Sequence, residues 1–414
     1  MPELLKVVTP AEARARFAQA YTPRPRGSER VALRHAYRRV LAADIAAPED
    51  LPEFDKSTVD GYAVRAADAA AASPERPLSF ALVGEVDMGT PPGSRVGRGQ
   101  AVRIPTGGML PEGADAVVML EDTVVGAERT LDVTRRVAPG ENIIRRAEDV
   151  RRGEVVLQRG TRLRPQDVGL LAGIGVVDVD VFLRPRVAVL ATGDEIITPD
   201  RRPEMGQVRD INTYTLSALV EEEGGLPDVY EIIPDDRGRL LAAVRKARQN
   251  ADLVLISGGS SVGEKDAVGW AIDQVGRPGV VVHGVKIKPG KPTILGLADG
   301  TPIIGLPGHP VSGMVIFDVF VRDLLRGLSG RTPPRSLGRV VRARMARAVP
   351  SAGGREDHVR VRIEQRDGAL WAVPQPGKSG IITTMTRADG LVLVPLGQAG
   401  LAEGAEVDVE LFDP

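Results

Sequence analysis

The 414-residue sequence predicts a multidomain protein of the α/β plus β class, and three observations lead to this fold class. At about 150 residues per domain, the length corresponds to roughly two to four domains. From residue 186 to 330, strand-like apolar runs alternate with amphipathic helical segments, a pattern typical of βαβ units and a parallel sheet. Short apolar runs broken by glycine and proline lie before and after this region and predict β-rich parts.

Residues 10–47 carry helical periodicity in two stripes. Pro10 can begin the first helix, in which apolar side chains recur at helical spacing at Ala13, Phe17 and Ala20. The second stripe predicts a further helix and contains Leu33, Ala36, Tyr37 and Val40.

The pattern changes at the proline- and acid-rich residues 46–57. From 58 to 144 the chain predicts an all-β or mixed segment, with strand-like runs at GYAVRA, FALVGEV, AVRIP, AVVML and TLDVTRRV. A helix is expected next, with Pro165 in its first turn and Gly173 and Gly175 at its end.

The α/β region has apolar strand-like runs at 186–193, 252–259 and 301–308. Amphipathic helices are expected around 211–223, 236–249, 266–275 and 310–328, on both faces of the sheet. After Gly330 the stretch RTPPRS resembles a linker, and the remaining short period-2 runs predict a small β-barrel or sandwich.

Composition excludes several classes of function. The chain has 54 Lys and Arg against 55 Asp and Glu, so no global charge favours nucleic acid or an anionic membrane. Cysteine is absent, which excludes disulfides, thiolate nucleophiles and zinc–thiolate sites. The N-terminus lacks the features of a signal peptide, and no apolar run approaches the length of a membrane span. We expect a soluble cytoplasmic protein that binds neither nucleic acid nor membrane.

Three predicted strands end in glycine-containing loops, TGDE (192–195), SGGSSVGEKD (257–266) and LPGHPVSG (306–313). Ligands of open α/β sheets bind outside the carboxyl ends of the strands, so the three loops should converge. Glycine lets backbone N–H groups approach an anion closely. The loops therefore predict a phosphate cradle built from Gly258, Gly259, Gly263 and Gly308.

The same predicted sheet edge is also acidic, with carboxylates at strand ends or loop positions beside the glycines, at Asp194, Glu195, Asp210, Glu264 and Asp266. Carboxylates beside a bound phosphate are commonly bridged by magnesium, which needs only one or two protein ligands. Each acid alone could instead cap a helix, since Asp210 and Asp266 both stand where a predicted helix begins. For the set as a whole, we favour the magnesium interpretation.

Lysine is rare in this chain, yet three of the eight lysines fall within 286–291. Lys288 and Lys291 flank a Pro-Gly turn in IKPGKPT, which suits contact with phosphate or another oxyanion through compact charges. The alternative is a hairpin loop with solvated lysines. His309 follows Gly308 at a helix start and could touch an anion, whereas the other three histidines lack ligand-like spacing.

Eight motifs together resemble one known family. In order along the chain they are STVDGYAVR, RIPTGGMLPEGADAVVMLED, RRAEDV, VAVLATGDEI, DINTY, SGGSSVGEKD, IKPGKPT and GLPGHPVSG. Their order and approximate spacing resemble those of the molybdopterin molybdenumtransferases, the MoeA family, which includes the E domain of gephyrin. The likeness covers nearly the whole chain.

The resemblance implies a magnesium-dependent transferase that inserts molybdate into adenylylated molybdopterin (molybdopterin-AMP) and releases AMP. It implies an elongated homodimer whose cleft lies between the α/β domain of one subunit and the inserted part of the other. The molybdopterin adenylyltransferase is a further candidate partner. The implied parts are a helical linking domain (1–54 and 145–183), an inserted β-rich domain (55–144), a molybdopterin-binding α/β domain (184–330) and a C-terminal β-barrel (331–414).

The resemblance also assigns site residues by motif. The catalytic set is Asp60, Thr106, Asp149, Glu195, Asp210, Asp266, Lys288 and Lys291, of which Glu195, Asp210 and Asp266 would also hold the metal. The molybdopterin-binding set is Gly193, Ser257, Gly258, Gly259, Gly263, Pro307, Gly308 and Pro310. The chain departs from the common pattern at Arg209, Ser260 and His309, where the family often has Tyr, Val and Asn.

Two other functions remain open at this point. A molybdopterin adenylyltransferase would use the same glycine and acid loops, although the long segments flanking the α/β region favour the insertase. A non-catalytic scaffold of the gephyrin type would not need carboxylates beside a phosphate cradle.

Overall fold

The computed structural model describes residues 7–259, 266–332 and 340–412. Its first element is helix α1 (Pro10–Ala20), which begins with a capping box between Thr9 and Glu12. This helix confirms the first predicted stripe. It packs against the α/β region, where Ala13 is fully buried and Arg14 donates two hydrogen bonds to the carbonyl of Val319.

The second stripe is not a helix. Three strands follow α1, namely β1 (Ser28–Ala32), β2 (Ile45–Ala46) and β3 (Lys56–Ser57). Only one 3-10 turn, Leu33–His35, coincides with the stripe. The physical reason is that the backbone of the stripe bonds to distant residues, since the Leu33 amide donates to the Val177 carbonyl and Val40 forms an antiparallel bridge with Arg162, and such pairing overrides local periodicity.

Residues 61–133 form a six-stranded sheet with strand order β7-β4-β6-β5-β9-β8. Its elements are β4 (Gly61–Val64), α2 (Ala66–Ala69), β5 (Leu78–Glu85), β6 (Gln100–Ile104), β7 (Ala116–Met119), β8 (Thr123–Val125) and β9 (Thr130–Val133). Both faces of the sheet are covered, since Tyr62 and Val64 belong to one buried cluster and Ala63 belongs to another. All five predicted runs form strands, and β8 is an additional one.

The chain then returns to the N-terminal strands. Its elements here are β10 (Ile143–Ile144), β11 (Val155–Leu157), α3 (Pro165–Gly173) and β12 (Asp178–Phe182). Strands β10, β11 and β12 pair antiparallel with β3, β2 and β1, respectively. The sheet of residues 61–133 is therefore inserted between two halves of one unit. Helix α3 is confirmed, but much of the unit predicted to be helical consists of strands.

The α/β region contains all the predicted strands and helices. Its elements are β13 (Arg186–Ala191), β14 (Ile196–Ile197), β15 (Val208–Arg209), α4 (Asn212–Glu222), β16 (Leu226–Val229), α5 (Arg237–Asn250), β17 (Leu253–Ser257), α6 (Ala267–Val275), β18 (Pro278–His283), β19 (Ile287–Lys288), β20 (Ile294–Ala298), β21 (Thr301–Leu306), α7 (Pro310–Ile316) and α8 (Arg322–Leu328). A π-helical segment, Phe317–Val321, joins α7 to α8.

Helices cover both faces of the α/β sheet, as predicted. Val187 and Val189 of β13 pack toward α4, whereas Ala188 and Leu190 pack toward α5 and α6. The strand order is β16-β13-β17-β21-β20-β18, and the first four strands are parallel. Strand β20, however, is antiparallel to both of its neighbours. The turn joining β20 to β21 explains this, since Asp299 and Gly300 both have positive φ, as a two-residue hairpin requires.

The C-terminal part is a closed barrel, which excludes the sandwich alternative. Its elements are β22 (Val340–Met345), β23 (Val349–Pro350), β24 (Glu356–Arg366), β25 (Ala369–Pro374), α9 (Thr383–Thr386), β26 (Gly390–Val394), β27 (Gly400–Leu401) and β28 (Glu406–Leu411). Strands β24, β25, β22, β28 and β26 form a ring that closes by pairing of β26 with β24. Strand β19 joins the start of β24 in parallel. Within the described ranges, no helix has the length and apolarity to cross a membrane.

Candidate active site

The three glycine loops meet at one edge of the α/β sheet. Strands β13, β17 and β21 are parallel neighbours, so their carboxyl ends lie side by side. The loops after β17 and β21 touch, because a Cβ atom added to Gly308 would lie 3.6 Å from the Cα of Gly258. The third loop follows β13 and contains Gly193, which lies two residues before Glu195. The fold thus contains the predicted convergence.

Gly258 could not be another residue in this conformation. Its φ is +94°, which lies in the left-handed region, and an added Cβ would clash with the carbonyl oxygen of Thr192. The clash is with backbone, which no side-chain rotation can relieve. Gly259 also has a positive φ. Gly263 and Glu264, predicted for the same loop, lie outside the described residues.

Asn212 connects two of the strand ends. Its Nδ2 atom donates hydrogen bonds to the Oγ of Ser257 at 2.6 Å and to the carbonyl of Gly308 at 2.8 Å. The sequence reasoning quoted DINTY as a motif but did not single out this amide. The sequence feature that could have pointed to Asn212 was its position two residues after Asp210, at the start of a predicted helix beside the predicted strand ends.

Two of the predicted metal-binding acids cap helices. Asp266 is the N-cap of α6 and accepts a hydrogen bond from the amide of Gly269 at 3.0 Å. Asp210 is buried and accepts from the amide of Thr213, also at 3.0 Å. In the described part of the chain, no group of three or more His, Cys, Asp or Glu side chains is arranged to hold a metal. The capping interpretation is confirmed, and the metal role stays a prediction.

A cleft of ≈ 1270 Å³ separates this sheet edge from the barrel. The predicted site residues that line it are Glu195, Gly258, Gly259, Lys288, Lys291, Pro307 and Gly308. Pro310 is the first residue of α7, directly after His309 at the cleft wall. One wall of the cleft therefore consists of the predicted loops.

The other wall belongs to the barrel and was not predicted. Its charged and polar members include Arg347, Arg355, Asp357, Arg360, Lys378 and Ser379. Counting both walls, six Lys and Arg side chains face two carboxylates among the described lining residues. This excess of cations suits an anionic ligand.

Lys288 is held by the barrel. Its Nζ lies 3.5 Å from Oδ2 of the buried Asp357, and Arg355 donates to the other oxygen of that carboxylate at 2.9 Å. Backbone pairing of Lys288 with Asp357 sets this geometry, because β19 adds to β24 in that register. Lys291 is exposed and has no ion-pair partner within the described chain. The Lys288 side chain is 55% exposed while it pairs with Asp357, so its predicted contact with an oxyanion stays a prediction beside the alternative of a solvated loop lysine.

Besides Asp357, the barrel wall carries the buried Arg360 and the partly buried His358. Burial lowers the pKa of Arg360 below its ordinary value, and its Nη2 donates to the carbonyl of Gly377 at 2.8 Å. Burial, assisted by Arg14, lowers the pKa of His358 to about 4, so this imidazole is neutral near pH 7. The pattern HVRVRIEQ indicated only a strand, because alternating polar residues usually face solvent.

Three predicted residues lie in other parts of the chain. Asp60 precedes β4 and accepts two hydrogen bonds from Thr106, from its amide at 2.7 Å and its hydroxyl at 3.1 Å. These bonds, chiefly the one from the amide, lower the pKa of Asp60 below its ordinary value. Asp149 is exposed on another loop, where its amide donates to the carbonyl of Leu51. None of the three is among the residues described as lining the cleft.

Comparison with protein families finds three matches that together span most of the chain. Residues 8–175 match the MoeA N-terminal region (domains I and II). Residues 188–327 match a probable molybdopterin binding domain, and residues 342–412 match the MoeA C-terminal region (domain IV).

Individual relatives agree with these matches. A molybdopterin molybdenumtransferase from Bacillus subtilis is 34% identical over 93% of this chain and 90% of its own length. One from Haemophilus influenzae is 32% identical over 98% of this chain and 99% of its own. A crystal structure of a molybdopterin biosynthesis MoeA protein from Pyrococcus horikosii superposes with a TM-score of 0.79 at 36% identity, covering 99% of this chain and 100% of that one.

Proposed function

Because the chain belongs to the MoeA family, we propose that it is a transferase of molybdenum cofactor biosynthesis that inserts molybdate into adenylylated molybdopterin and releases AMP. The single observation that carries this proposal is the cleft in which glycine loops face an excess of cations. Adenylylated molybdopterin and molybdate are both anions. The absence of cysteine is compatible with this chemistry, because the dithiolene sulfurs belong to the pterin.

We propose different roles for the glycines and the lysines that line the cleft. The backbone of Gly258, Gly259 and Gly308 would bind the phosphates of the pterin, since side chains there would block a close approach. Lys288 and Lys291 would contact molybdate or phosphate as compact charges. Cleavage of the phosphate–AMP bond builds negative charge on the leaving group, and fixed cations stabilise that charge without reorganising.

Magnesium dependence is part of the proposal. Glu195 lines the cleft and could serve as one carboxylate ligand, and Asp210 uses one oxygen to cap a helix and retains the other. Asp266 caps a helix with Oδ1, and its Oδ2 lies 3.4 Å from Nε2 of His283. This donor set suits magnesium, which takes one or two carboxylates and completes its shell with phosphates and water. When bound, the ion would offset charge on the substrate phosphates.

We also propose that the active unit is a homodimer. Asp60, Thr106 and Asp149 resemble catalytic residues of the family, yet they lie outside the cleft of their own chain as described. A partner subunit that supplies them would complete the site. The class of enzyme that must supply the substrate is an adenylyltransferase acting on molybdopterin, which is a candidate partner.

The test is a reconstituted reaction. Purified protein would receive adenylylated molybdopterin and molybdate, with magnesium or with EDTA, and AMP release would be measured together with activation of a molybdenum-dependent apoenzyme. We expect molybdate-dependent AMP release in the magnesium sample only. A parallel sample with ATP and unmodified molybdopterin tests for adenylyltransferase activity. AMP transfer there, with no insertion in the first sample, would contradict the proposal.

A further inference from the structure

We propose that His309 is a positioning residue that fixes the barrel loop 375–380 against the α/β domain and thereby holds Lys378 at the cleft. The loop joins β25 to α9, and residues 375–379 line the cleft. The effect on molybdate rests on the proposed function, whereas the contact itself does not.

The loop is held from two sides. On the α/β side, Nδ1 of His309 lies 2.8 Å from the Oγ of Ser379, and the amide of Val311 donates to the Ser379 carbonyl at 3.2 Å. The imidazole also lies close to Gly380, where an added Cβ would be 3.8 Å from its Cδ2 atom. A hydroxyl can donate to or accept from Nδ1, so the contact suits either neutral tautomer of the histidine.

On the barrel side, Arg360 fixes the start of the same loop. Its Nη2 donates to the carbonyl of Gly377, and its own carbonyl accepts from the amide of Gln375 at 2.8 Å. Lys378 thus lies between Gly377, which is hydrogen-bonded to the barrel, and Ser379, which is hydrogen-bonded to the α/β domain. These contacts on either side restrict where the Lys378 ammonium group can lie relative to Lys288 and Lys291.

The contact also changes what the start of α7 can bind. The first amides of a helix have no partner within the helix and often bind anions. Here the Val311 amide is already bonded to the barrel. That amide is therefore not available to an anion, and the cation beside it among the described cleft residues is Lys378, on the loop that His309 contacts.

The test uses three substitutions that separate the two ring nitrogens. The amide atoms of Asn stand as many bonds from the backbone as Nδ1, whereas those of Gln stand as far as Nε2. We expect His309→Ala and His309→Gln to raise hydrogen exchange of the amides of residues 377–382 in the unliganded protein by about five- to tenfold, the effect of one lost hydrogen bond. His309→Asn should remain close to the unmodified protein.

The second readout is molybdate binding by calorimetry. His309→Ala and His309→Gln should weaken it by about five- to tenfold, and His309→Asn should restore it. His35→Ala is the matched control, because His35 is exposed and its only side-chain partner within the described chain is Arg34. Thermal unfolding of each variant distinguishes local loosening from global loss of stability.

The outcomes are separable. Unchanged exchange in His309→Ala, or equal behaviour of the Asn and Gln variants, would overturn the positioning role. Raised exchange with unchanged molybdate affinity would overturn the link to Lys378. Exchange is measured without substrate, so a failure of the proposed reaction would leave the exchange result intact.

Discussion

Lys288 and Lys291 flank the same turn but have different surroundings. The buried carboxylate of Asp357 holds Lys288, while Lys291 is exposed at the cleft. An exposed ammonium that lines a cation-rich cleft and has no ion-pair partner among the described residues is available to an incoming oxyanion. At the scale of single residues, Lys291 therefore offers the cleaner test of whether compact charge matters.

We expect Lys291→Arg to lower turnover roughly tenfold, which corresponds to about 1.4 kcal/mol. The charge is kept, but a planar guanidinium cannot occupy the space of a compact ammonium. Lys246→Arg is the control, because Lys246 lies on the surface helix α5 over the ring of Tyr230, where arginine stacks equally well. Turnover at limiting and saturating molybdate measures both. Equal, unreduced rates in the two variants would contradict a role for Lys291.

Gly258→Ala should unfold at lower denaturant and lose activity. Its left-handed backbone alone costs an added side chain about 1–2 kcal/mol, and the clash with the Thr192 carbonyl adds to that cost. Gly153→Ala measures the cost of the left-handed backbone without a clash, since Gly153 has φ +85° and no described atom lies within 4 Å of an added Cβ. Urea unfolding of both variants is the measurement. Similar losses in the two would show that the loops do not approach as closely as described.

At the scale of elements, the buried Glu223 joins the end of α4 to α8. It pairs with Arg322, with Arg326 at 3.3 Å and with Arg331 at 3.2 Å. Beside it, Arg162 from the N-terminal part donates to the carbonyl of Glu222 at 2.8 Å. Helix α4 begins with Asn212 at the cleft edge of the sheet and ends at this network. Helix α8 continues α7, which begins directly after His309, through the π-helical segment Phe317–Val321. The network therefore fixes, from the far side, the elements that carry Asn212 and His309.

Glu223→Ala should lower the free energy of unfolding by about 3–5 kcal/mol, because it leaves three arginines without their buried partner. Asp408→Ala is the matched control. Asp408 pairs with Arg342 on the surface of the barrel, and loss of such an exposed pair costs at most about 1 kcal/mol. Denaturant titrations of both variants test this. A loss below 1 kcal/mol for Glu223→Ala would mean that the network contributes little.

The network also predicts a pH dependence. Burial alone would raise the pKa of Glu223, but the nearby Arg322 and Arg326 outweigh it and hold that pKa below its ordinary value of 4.5. A lowered pKa in the folded state stabilises the protein above pH 4.5, and this stabilisation is lost as pH falls through the folded-state pKa. Glu223→Gln should flatten the decline in stability on acidification. An unchanged slope would contradict the assignment.

Sequence reasoning succeeded where the signal was local. Strands β13, β17 and β21 are unbroken apolar runs that end in glycine, so their position and their shared edge follow from the sequence. The helix predicted for the stripe at Leu33 was wrong because the backbone there bonds to residues distant in sequence, such as Val177 and Arg162. Arg360 could not be predicted, because an arginine in an alternating strand has the same pattern whether it faces solvent or a cleft.

At the scale of the whole molecule, the proposed homodimer predicts complementation between two inactive variants. Asp60→Ala and Asp266→Ala should each abolish insertion, since the first removes the carboxylate held by Thr106 and the second removes the cap and candidate metal ligand at α6. If the two residues serve one site from opposite subunits, a mixed dimer regains one intact site. Activity of mixed dimers purified through two different tags measures this. No recovered activity would contradict a shared site.

The pairing of β19 with β24 has a mechanical consequence. Lys288 belongs to the α/β chain segment, yet its backbone is hydrogen-bonded into the barrel sheet and its ammonium is paired with a barrel carboxylate. Gly258, Gly259 and Gly308, which line the cleft, follow the parallel strands β17 and β21 instead. A movement of the barrel relative to the parallel sheet would therefore change the distance between Lys288 and the glycines. The width of the cleft and the distance between the Lys288 cation and the predicted phosphate cradle would change together in such a movement, so these two quantities are geometrically coupled.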